Sequence, residues 1–407
     1  ANMEGLDQSI SRDVGLLDYS RLKGMMLQAW SPFQKKFFDG VFIGDRETLP
    51  ELNDALDEIA AHGPMPLDAY MARALADPEH GYYMQRRPFG APNAEGGDFI
   101  TAPEVSQMFG ELIGTWLADL WNRMGQPAPF ALVELGPGRG TLMADVLRVG
   151  QVLPGFPESA QVHFVETSPA LRQAQKQAVG KDVTAHWHDD ITTLPAMPCL
   201  LVANEFFDAR PIRQTRKTAS GWQEICVGAK DKALVFAPQD IAAPRFSEAA
   251  KACLPEILEN QAIVETCPQG EAAMEQLCAH IAQHGGAALL IDYGHASKAC
   301  GDSFQALKEH RFVDPLEAPG MADMTAHVNF PLLAHLAEAA DLDAAPVATQ
   351  GAFLESLGLN MRAQQLMQSS PGRETQIQSE RARLAAPDEM GTLFKVLGVA
   401  HKAMPPL

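Results

Sequence analysis

The chain has 407 residues, enough for one large α/β unit with additions or for two domains. A formal net charge of −19 argues against nucleic-acid binding, because phosphates require a basic surface. The same charge is compatible with a cationic substrate, and solubility alone also favours it.

The six cysteines form no C-x-x-C pair, and no apolar run is long enough to span a bilayer. A signal peptide is not visible at the start of the sequence. These features predict a soluble protein of a reducing, cytoplasmic compartment.

Residues 1–50 carry mixed charge and an aromatic cluster whose spacing fits one helical face. We assign no role to this extension, and we interpret the cluster, formed by Trp30, Phe33, Phe37 and Phe38, as a packing surface. Residues 51–125 contain several helical patterns, the strongest over 106–121. This helical segment precedes the next motif and could fold over a ligand site as a lid.

An apolar run at 130–133 predicts a buried strand, and a glycine-rich turn at 136–140 and a helical pattern follow it. Strand, glycine turn and helix are the context of a nucleotide-cofactor loop. A dinucleotide fingerprint fails by one residue, because Thr141 occupies its last position. The spacing acidic-x-G-x-G-x-G, headed by Glu134, is typical of S-adenosylmethionine (SAM) methyltransferases.

Further strands alternate with helices, which predicts a parallel, doubly wound sheet. The expected strands are 162–165, 183–187, 199–203 and 287–291, with a closing strand near 393–399. Between the fourth and fifth strands, β-like stretches at 212–216, 223–227 and 233–236 predict an inserted β-rich subdomain. The C-terminal third adds helices near 331–340 and 351–367. We therefore divide the chain into 1–50 (extension), 51–125 (helical lid segment), 126–214 (core, first part), 215–285 (insertion and crossover helix) and 286–407 (core, second part).

Polar residues follow successive strands, where ligands bind in open α/β sheets. Glu166 is placed to accept the hydroxyls of a ribose, and Asp189 and Asp190 lie where an adenine amino group is expected. Asn204 and Glu205 end the fourth strand and are expected to face the reacting centre.

A guanidinium nucleophile stays protonated, so carboxylates must hold it and accept its departing proton. Glu205 is the leading candidate for this role, followed by Asp208 and Asp292, although Asp208 could equally cap a turn. His280 and His284 have a metal-like i, i+4 spacing without a third ligand nearby, so we predict no metal site.

Five separated blocks together resemble the MidA family of SAM-dependent methyltransferases. In chain order they are GDFITAPEVSQMFGE at 97–111, VELGPGRGTL at 133–142, NEFFD at 204–208, DYGH at 292–295 and GMADMTAHV at 320–328. The resemblance implies a class I methyltransferase core, an α/β Rossmann-like doubly wound sheet of about seven strands. It also implies SAM as the cofactor and a 101–107 block that closes over it or forms the substrate channel.

The combined argument defines two sets of candidate residues, and none for a metal. The cofactor-binding candidates are Glu134, Gly136, Pro137, Gly138, Gly140, Glu166, Asp189, Asp190, Thr101 and Gln107. The catalytic candidates are Glu205, Asp208, Asn204 and Asp292.

Mitochondrial members of the family are protein arginine methyltransferases that act on a subunit of respiratory complex I during its assembly. The resemblance therefore predicts N-methylation of arginine in a protein substrate, which could be a homologue of that subunit. Two alternatives stay open: a non-catalytic assembly chaperone on a methyltransferase fold, and a small-molecule methyltransferase. A bacterial member would be cytoplasmic and a eukaryotic one would lie in the mitochondrial matrix, and the pattern leaves the oligomeric state open.

Overall fold

The computed structural model describes residues 50–85, 100–230, 233–317 and 319–404. The predicted extension and its aromatic cluster therefore lie outside the described residues, apart from the start of the first helix. No helix in the described ranges is long and apolar enough to cross a membrane.

The elements alternate along the chain as expected for an α/β protein. The helices are α1 (Pro50–His62), α2 (Leu67–Ala76), α3 (Tyr82–Gln85), α4 (Ala102–Val105), α5 (Gln107–Arg123), α6 (Thr141–Gly150), α7 (Phe156–Ser159), α8 (Pro169–Val179), α9 (Glu248–Ala252), α10 (Pro268–His284), α11 (Phe330–Ala339), α12 (Gln350–Ser356), α13 (Leu359–Ser369), α14 (Glu374–Ala385) and α15 (Met390–Leu393). The strands are β1 (Met65–Pro66), β2 (Phe130–Leu135), β3 (Ala160–Val165), β4 (Ala185–His188), β5 (Cys199–Asn204), β6 (Arg213–Thr218), β7 (Gly221–Glu224), β8 (Cys226–Lys230), β9 (Ala233–Phe236), β10 (Gln239–Ile241), β11 (Ile263–Thr266), β12 (Gly286–His295), β13 (Gln305–Lys308), β14 (Arg311–Val313), β15 (Asp323–Thr325), β16 (Val328–Asn329), β17 (Leu342–Ala344), β18 (Ala348–Thr349) and β19 (Phe394–His401).

The central sheet has the order β17-β19-β12-β5-β2-β3-β4, with short β16 and β18 added beside β12 and β19. The strands from β12 to β4 run parallel, whereas β19 is antiparallel to β12 and β17. Because the order reverses beside β2, the carboxyl ends of β2 and β5 open a crevice there. The predicted Rossmann-like sheet of about seven strands is confirmed.

Helices cover both faces of this sheet, and successive strand residues bury against opposite layers. In β2, Leu132 joins the apolar cluster that includes α5, α6 and α12–α14. Its neighbour Val133 joins the cluster that includes α10 and α11. The continuous apolar run of β2 is therefore the pattern of a strand buried on both sides.

The C-terminal third differs from the sequence prediction in several elements, including the unpredicted helix α14 and the short strands β13 to β16. The helix expected over 351–367 is two helices, α12 and α13, because Gly358 adopts a left-handed φ of 94° between them. The edge strand β17 was not predicted, since only Leu342 among its three residues is buried and no alternation is visible.

The predicted inserted subdomain is β-rich. It forms one antiparallel sheet in the order β10-β7-β6-β11 and shares a second, β1-β8-β9, with the N-terminal segment. The N-terminal segment is therefore not purely helical, since Met65 pairs with Val227. Buried Leu67, Tyr70 and Met71 pack in the same cluster as Met324 of β15. The domain boundaries remain a prediction.

Candidate functional site

The glycine turn between β2 and α6 has the backbone that its sequence predicts. Gly136, Gly138 and Gly140 have φ values of 59°, 52° and 83°, in the left-handed region. A Cβ on Gly136 would lie 2.9 Å from Cδ2 of Phe206, and one on Gly140 would lie 3.1 Å from Cα of Gln175. Gly136 thus makes room for the Phe206 ring, whereas Gly140 permits α6 and α8 to pack closely.

A cavity of about 540 Å³ opens beyond the carboxyl ends of β2, β3, β5 and β12. Its size lies within the range of small-molecule and cofactor sites, about 300–1,000 Å³. Nine predicted site residues line it: Thr101, Glu134, Gly136, Pro137, Gly138, Glu166, Asn204, Glu205 and Asp208. Gln107, Gly140, Asp189, Asp190 and Asp292 are not among the lining residues.

Asp292 is a buried support behind the cavity. Its Oδ2 accepts hydrogen bonds from the backbone N–H groups of Phe207, at 3.0 Å, and Asp208, at 3.2 Å. Its Oδ1 accepts from the backbone N–H of Tyr293 at 2.9 Å. Burial, followed by the nearby Asp208 and Glu205 carboxyls, raises the pKa of Asp292 well above its usual value.

The three remaining polar candidates make local contacts. Gln107 is exposed and donates from Nε2 to Oε1 of Glu111 at 3.2 Å. The side chain of Asp189 is 82% exposed and pairs with Arg172 at 2.5 Å. Asp190 caps the short 3-10 helix Ile191–Thr193.

Two carboxyl groups lie at the glycine-turn end of the cavity. Glu134 is 4% exposed, and its Oε2 is a buried atom without a hydrogen-bond partner in the described part of the chain. Glu166 accepts from the backbone N–H of Ser168 at 2.8 Å and from Nε2 of Gln175 at 3.2 Å. Burial raises the pKa of both carboxyls.

This end of the cavity fits the cofactor that the family resemblance implies. A buried acceptor without a partner requires an explanation, and the ammonium of SAM would supply the missing donor to Glu134. Glu166 would accept the ribose hydroxyls, and Gly136 and Gly138, both at positive φ, line the cavity where the nucleoside would approach.

Glu205 lines the same cavity directly after β5, the strand that pairs with β2. Its Oε1 accepts hydrogen bonds from the backbone N–H of Ala102 and from Nδ2 of Asn204, both at 3.1 Å. Its φ of 52° is unusual for a residue with a side chain, and such conformations cluster at functional sites. Burial, reinforced by the charge of Asp208, raises the pKa of Glu205 to about 8.

Two tyrosine–carboxyl pairs flank Glu205, and of their four residues only Asp208 was in the predicted set. Tyr83 donates from its hydroxyl to Oδ1 of Asp323 at 2.6 Å, and Tyr293 hydrogen-bonds Asp208. All four residues line the cavity. Burial raises the pKa of Asp208 to about 6. Tyr293 and Asp323 fall inside the motif blocks, so a signal for them was present in the sequence.

The 101–107 block contacts both Glu205 and the region of the glycine turn. Its Ala102 N–H holds Glu205, and Oε1 of its Glu104 accepts from the hydroxyl of Thr141 at 2.6 Å. The guanidinium of Arg139, in the glycine turn, lies 3.7 Å from the same oxygen. Glu104 and Thr141 line the cavity but were not predicted.

One half-buried cation, Arg210, also lines the cavity outside the predicted set. The guanidinium carbon of Arg210 lies 3.9 Å from the centre of the Phe206 ring, and burial lowers its pKa. Among the described residues, no group of three His, Cys, Asp or Glu side chains is arranged to hold a metal ion. His280 and His284 have ring centres 4.9 Å apart on α10.

Comparisons with known proteins agree with the family resemblance. A family model described as "putative S-adenosyl-L-methionine-dependent methyltransferase" matches residues 112–347. The mitochondrial protein arginine methyltransferase NDUFAF7 homolog of Drosophila melanogaster is 36% identical, over 84% of this chain and 83% of its own. Human mitochondrial protein arginine methyltransferase NDUFAF7 is 34% identical, over 88% of this chain and 85% of its own.

A solved structure gives the same result for the fold. A "likely methyl transferase" from Burkholderia thailandensis, bound to S-adenosyl-homocysteine, aligns with a TM-score of 0.76 and 28% identity. The alignment covers 88% of this chain and 93% of that one.

Proposed function

The chain belongs to the family of SAM-dependent methyltransferases, and from this premise we propose that it methylates a nitrogen of arginine in a protein substrate. The observation that carries the proposal is Glu205, half-buried in the cavity that the glycine turn also lines, with its carboxyl group held by Asn204 and by the backbone N–H of Ala102. Asp208 and Asp323 line the same region, so a guanidinium entering there would meet several acceptors.

The glycine turn and the two carboxyl groups beside it would bind SAM. Gly136 and Gly138 leave room for the nucleoside, Glu134 would hold the ammonium, and Glu166 would hold the ribose. SAM, when bound, supplies a methyl group on a positively charged sulfur. The proposal also includes Asp189 and Asp190 as contacts of the adenine amino group, which their position after β4 supports.

Glu205 would orient the guanidinium and accept the proton that its nitrogen loses on methylation. Because Oε1 already accepts from Ala102 and Asn204, Oε2 is the atom we assign to this contact. Asp208, held by Tyr293, provides a second carboxyl beside it. Asp292 acts as a positioning residue, since it holds the backbone that carries Asp208.

The protein substrate follows from the names of the relatives, which are protein arginine methyltransferases. A homologue of a respiratory complex I subunit is the substrate that the family resemblance implies, and it forms part of the proposal. So does a cytoplasmic location, which the cysteine pattern supports.

The test is transfer of labelled methyl from SAM to proteins of a cell extract that lacks this protein. We expect protein label that hydrolyses to methylarginine, and about 100-fold less of it with Glu205→Gln, since general acid–base groups contribute 10²–10⁴-fold. Glu259→Gln, an exposed carboxyl outside the cavity, is the matched control and should retain activity.

Calorimetry with SAM separates the competing functions. Glu205→Gln should bind SAM as the wild type does, because the groups assigned to SAM are Glu134, Glu166 and the glycine turn. Label confined to small metabolites would identify a small-molecule methyltransferase. SAM binding without any transfer would support an assembly chaperone, and either result would contradict the proposal.

A further inference from the structure

A small antiparallel sheet forms the wall of the cavity that carries Asp323. It has the order β14-β13-β15, and Leu307 of β13 is paired with both Phe312 of β14 and Asp323 of β15. Residues directly opposite each other in neighbouring strands lie on the same face of a sheet. These three side chains therefore form one row, and all of them line the cavity.

The chemistry of this row changes from its inner to its outer end. Asp323 is 6% exposed and accepts the Tyr83 hydroxyl, so its end belongs to the buried polar site. Leu307 is half-buried, and Phe312 is 75% exposed at the outer end. Phe312 thus presents an accessible aromatic side chain beside the cavity, and aromatic residues are enriched at protein interfaces.

The outer strand β14 is also the edge of its sheet. Within the described ranges it pairs with β13 alone. An edge strand can accept an extended peptide, whose side chains then contact the neighbouring surface. Leu393, which is 46% exposed, is a second accessible apolar residue that lines the same cavity.

We propose that Leu307 and Phe312 bind the substrate segment beside the target arginine. This inference rests on the proposed function, methylation of arginine in a protein. The occupant is an extended stretch of the substrate protein with an apolar side chain close to that arginine. Two strand spacings separate β15 from β14, or about 10 Å. This is the length of about three extended residues, so the apolar side chain lies within about three positions of the arginine.

The test compares Phe312 variants in the labelled-methyl assay across a dilution series of the extract. Phe312→Ser and Phe312→Gln should raise the half-saturating extract concentration about tenfold, the size expected for one apolar contact. The maximal rate and the calorimetric SAM affinity should stay unchanged. Phe312→Leu, which remains apolar, should restore most of the affinity for the extract.

Ile257→Ser is the matched control, because Ile257 is 81% exposed but lies outside the cavity. Wild-type-like half-saturation in both polar variants, with SAM affinity intact, would overturn the inference and leave the proposed function standing. If the wild type itself transferred no label to protein, the proposed function would fail first, and this inference with it.

Discussion

Glu205 combines three properties that are rarely found together without a functional reason. It adopts a left-handed φ, it is half-buried in the cavity, and its pKa is raised to about 8 by desolvation and by Asp208. A strained residue persists only where the surrounding structure determines it, and here Ala102 and Asn204 hold its carboxyl group. The ordinary alternative for an acidic residue at a strand end, a solvated turn, does not apply to Glu205.

The raised pKa predicts how activity depends on pH. Below about 8 the free enzyme holds Glu205 protonated, and only the ionised carboxylate can pair with a guanidinium and accept its proton. We therefore expect kcat/KM for the protein substrate to rise about tenfold between pH 7 and 9 and then to level off. The measurement is initial rates at limiting substrate, with Glu259→Gln as the control and SAM affinity followed at each pH. A profile that is flat or falls over this range would contradict the role of Glu205.

Among the elements, the turn between β2 and α6 carries the cofactor argument. Its three glycines all have positive φ, but they serve different neighbours: Gly136 approaches Phe206, and Gly140 approaches α8. The 101–107 block then joins this turn to Glu205 through Glu104 and Ala102. The glycine turn and Glu205 are thus connected by one short segment.

Gly136→Ala separates the effect of space from the effect of backbone strain. The new Cβ would meet Phe206 at 2.9 Å, and it would also carry the cost of a left-handed residue, about 1–2 kcal/mol. Gly180→Ala also places a side chain at a positive φ, of 86°, with no atom within 4 Å. We expect both variants to lose thermal stability, but only Gly136→Ala to lose at least about tenfold in calorimetric SAM affinity. Equal SAM affinity in the two variants would remove Gly136 from the cofactor site.

At the scale of the whole molecule, the cavity is built from distant parts of the chain. Its walls include Ala72 and Tyr83 of the N-terminal segment, Gln269 after the insertion and Phe394 of β19. A buried ionic cluster joins the C-terminal helices to the core. Glu111 of α5 accepts from Nε of Arg362 on α13 at 2.6 Å and from Nη1 of Arg148 on α6 at 2.7 Å.

Glu111→Gln should therefore loosen the attachment of the C-terminal helices. The substitution leaves two guanidinium groups without their buried carboxylate, and both are partly exposed, so we expect a loss of about 2 kcal/mol in the free energy of unfolding. Asp119→Asn is the control, because its ion pair with Arg123 lies on the surface of the same helix and should contribute less than about 1 kcal/mol. Urea denaturation measures both changes, and equal losses would show that the cluster has no special role.

The sequence by itself determined the features that depend on neighbouring residues. These local patterns are the glycine spacing after β2, the apolar runs of the parallel strands and the acidic residues that follow them. They made the central sheet predictable, and most of the predicted site residues do line the cavity. Helix boundaries at a single glycine, such as Gly358, and three-residue edge strands such as β17 were not, because they leave little periodicity.

Only the tertiary structure decided which distant side chains meet. Tyr83 and Asp323 are 240 residues apart, and Glu111 and Arg362 are 251 residues apart, yet each pair forms a hydrogen bond. It also placed Asp292 behind the cavity as a backbone support, although its position after a strand resembles that of Glu205. Side-chain direction at a strand end depends on the packing of both neighbouring strands, and no local pattern contains that information.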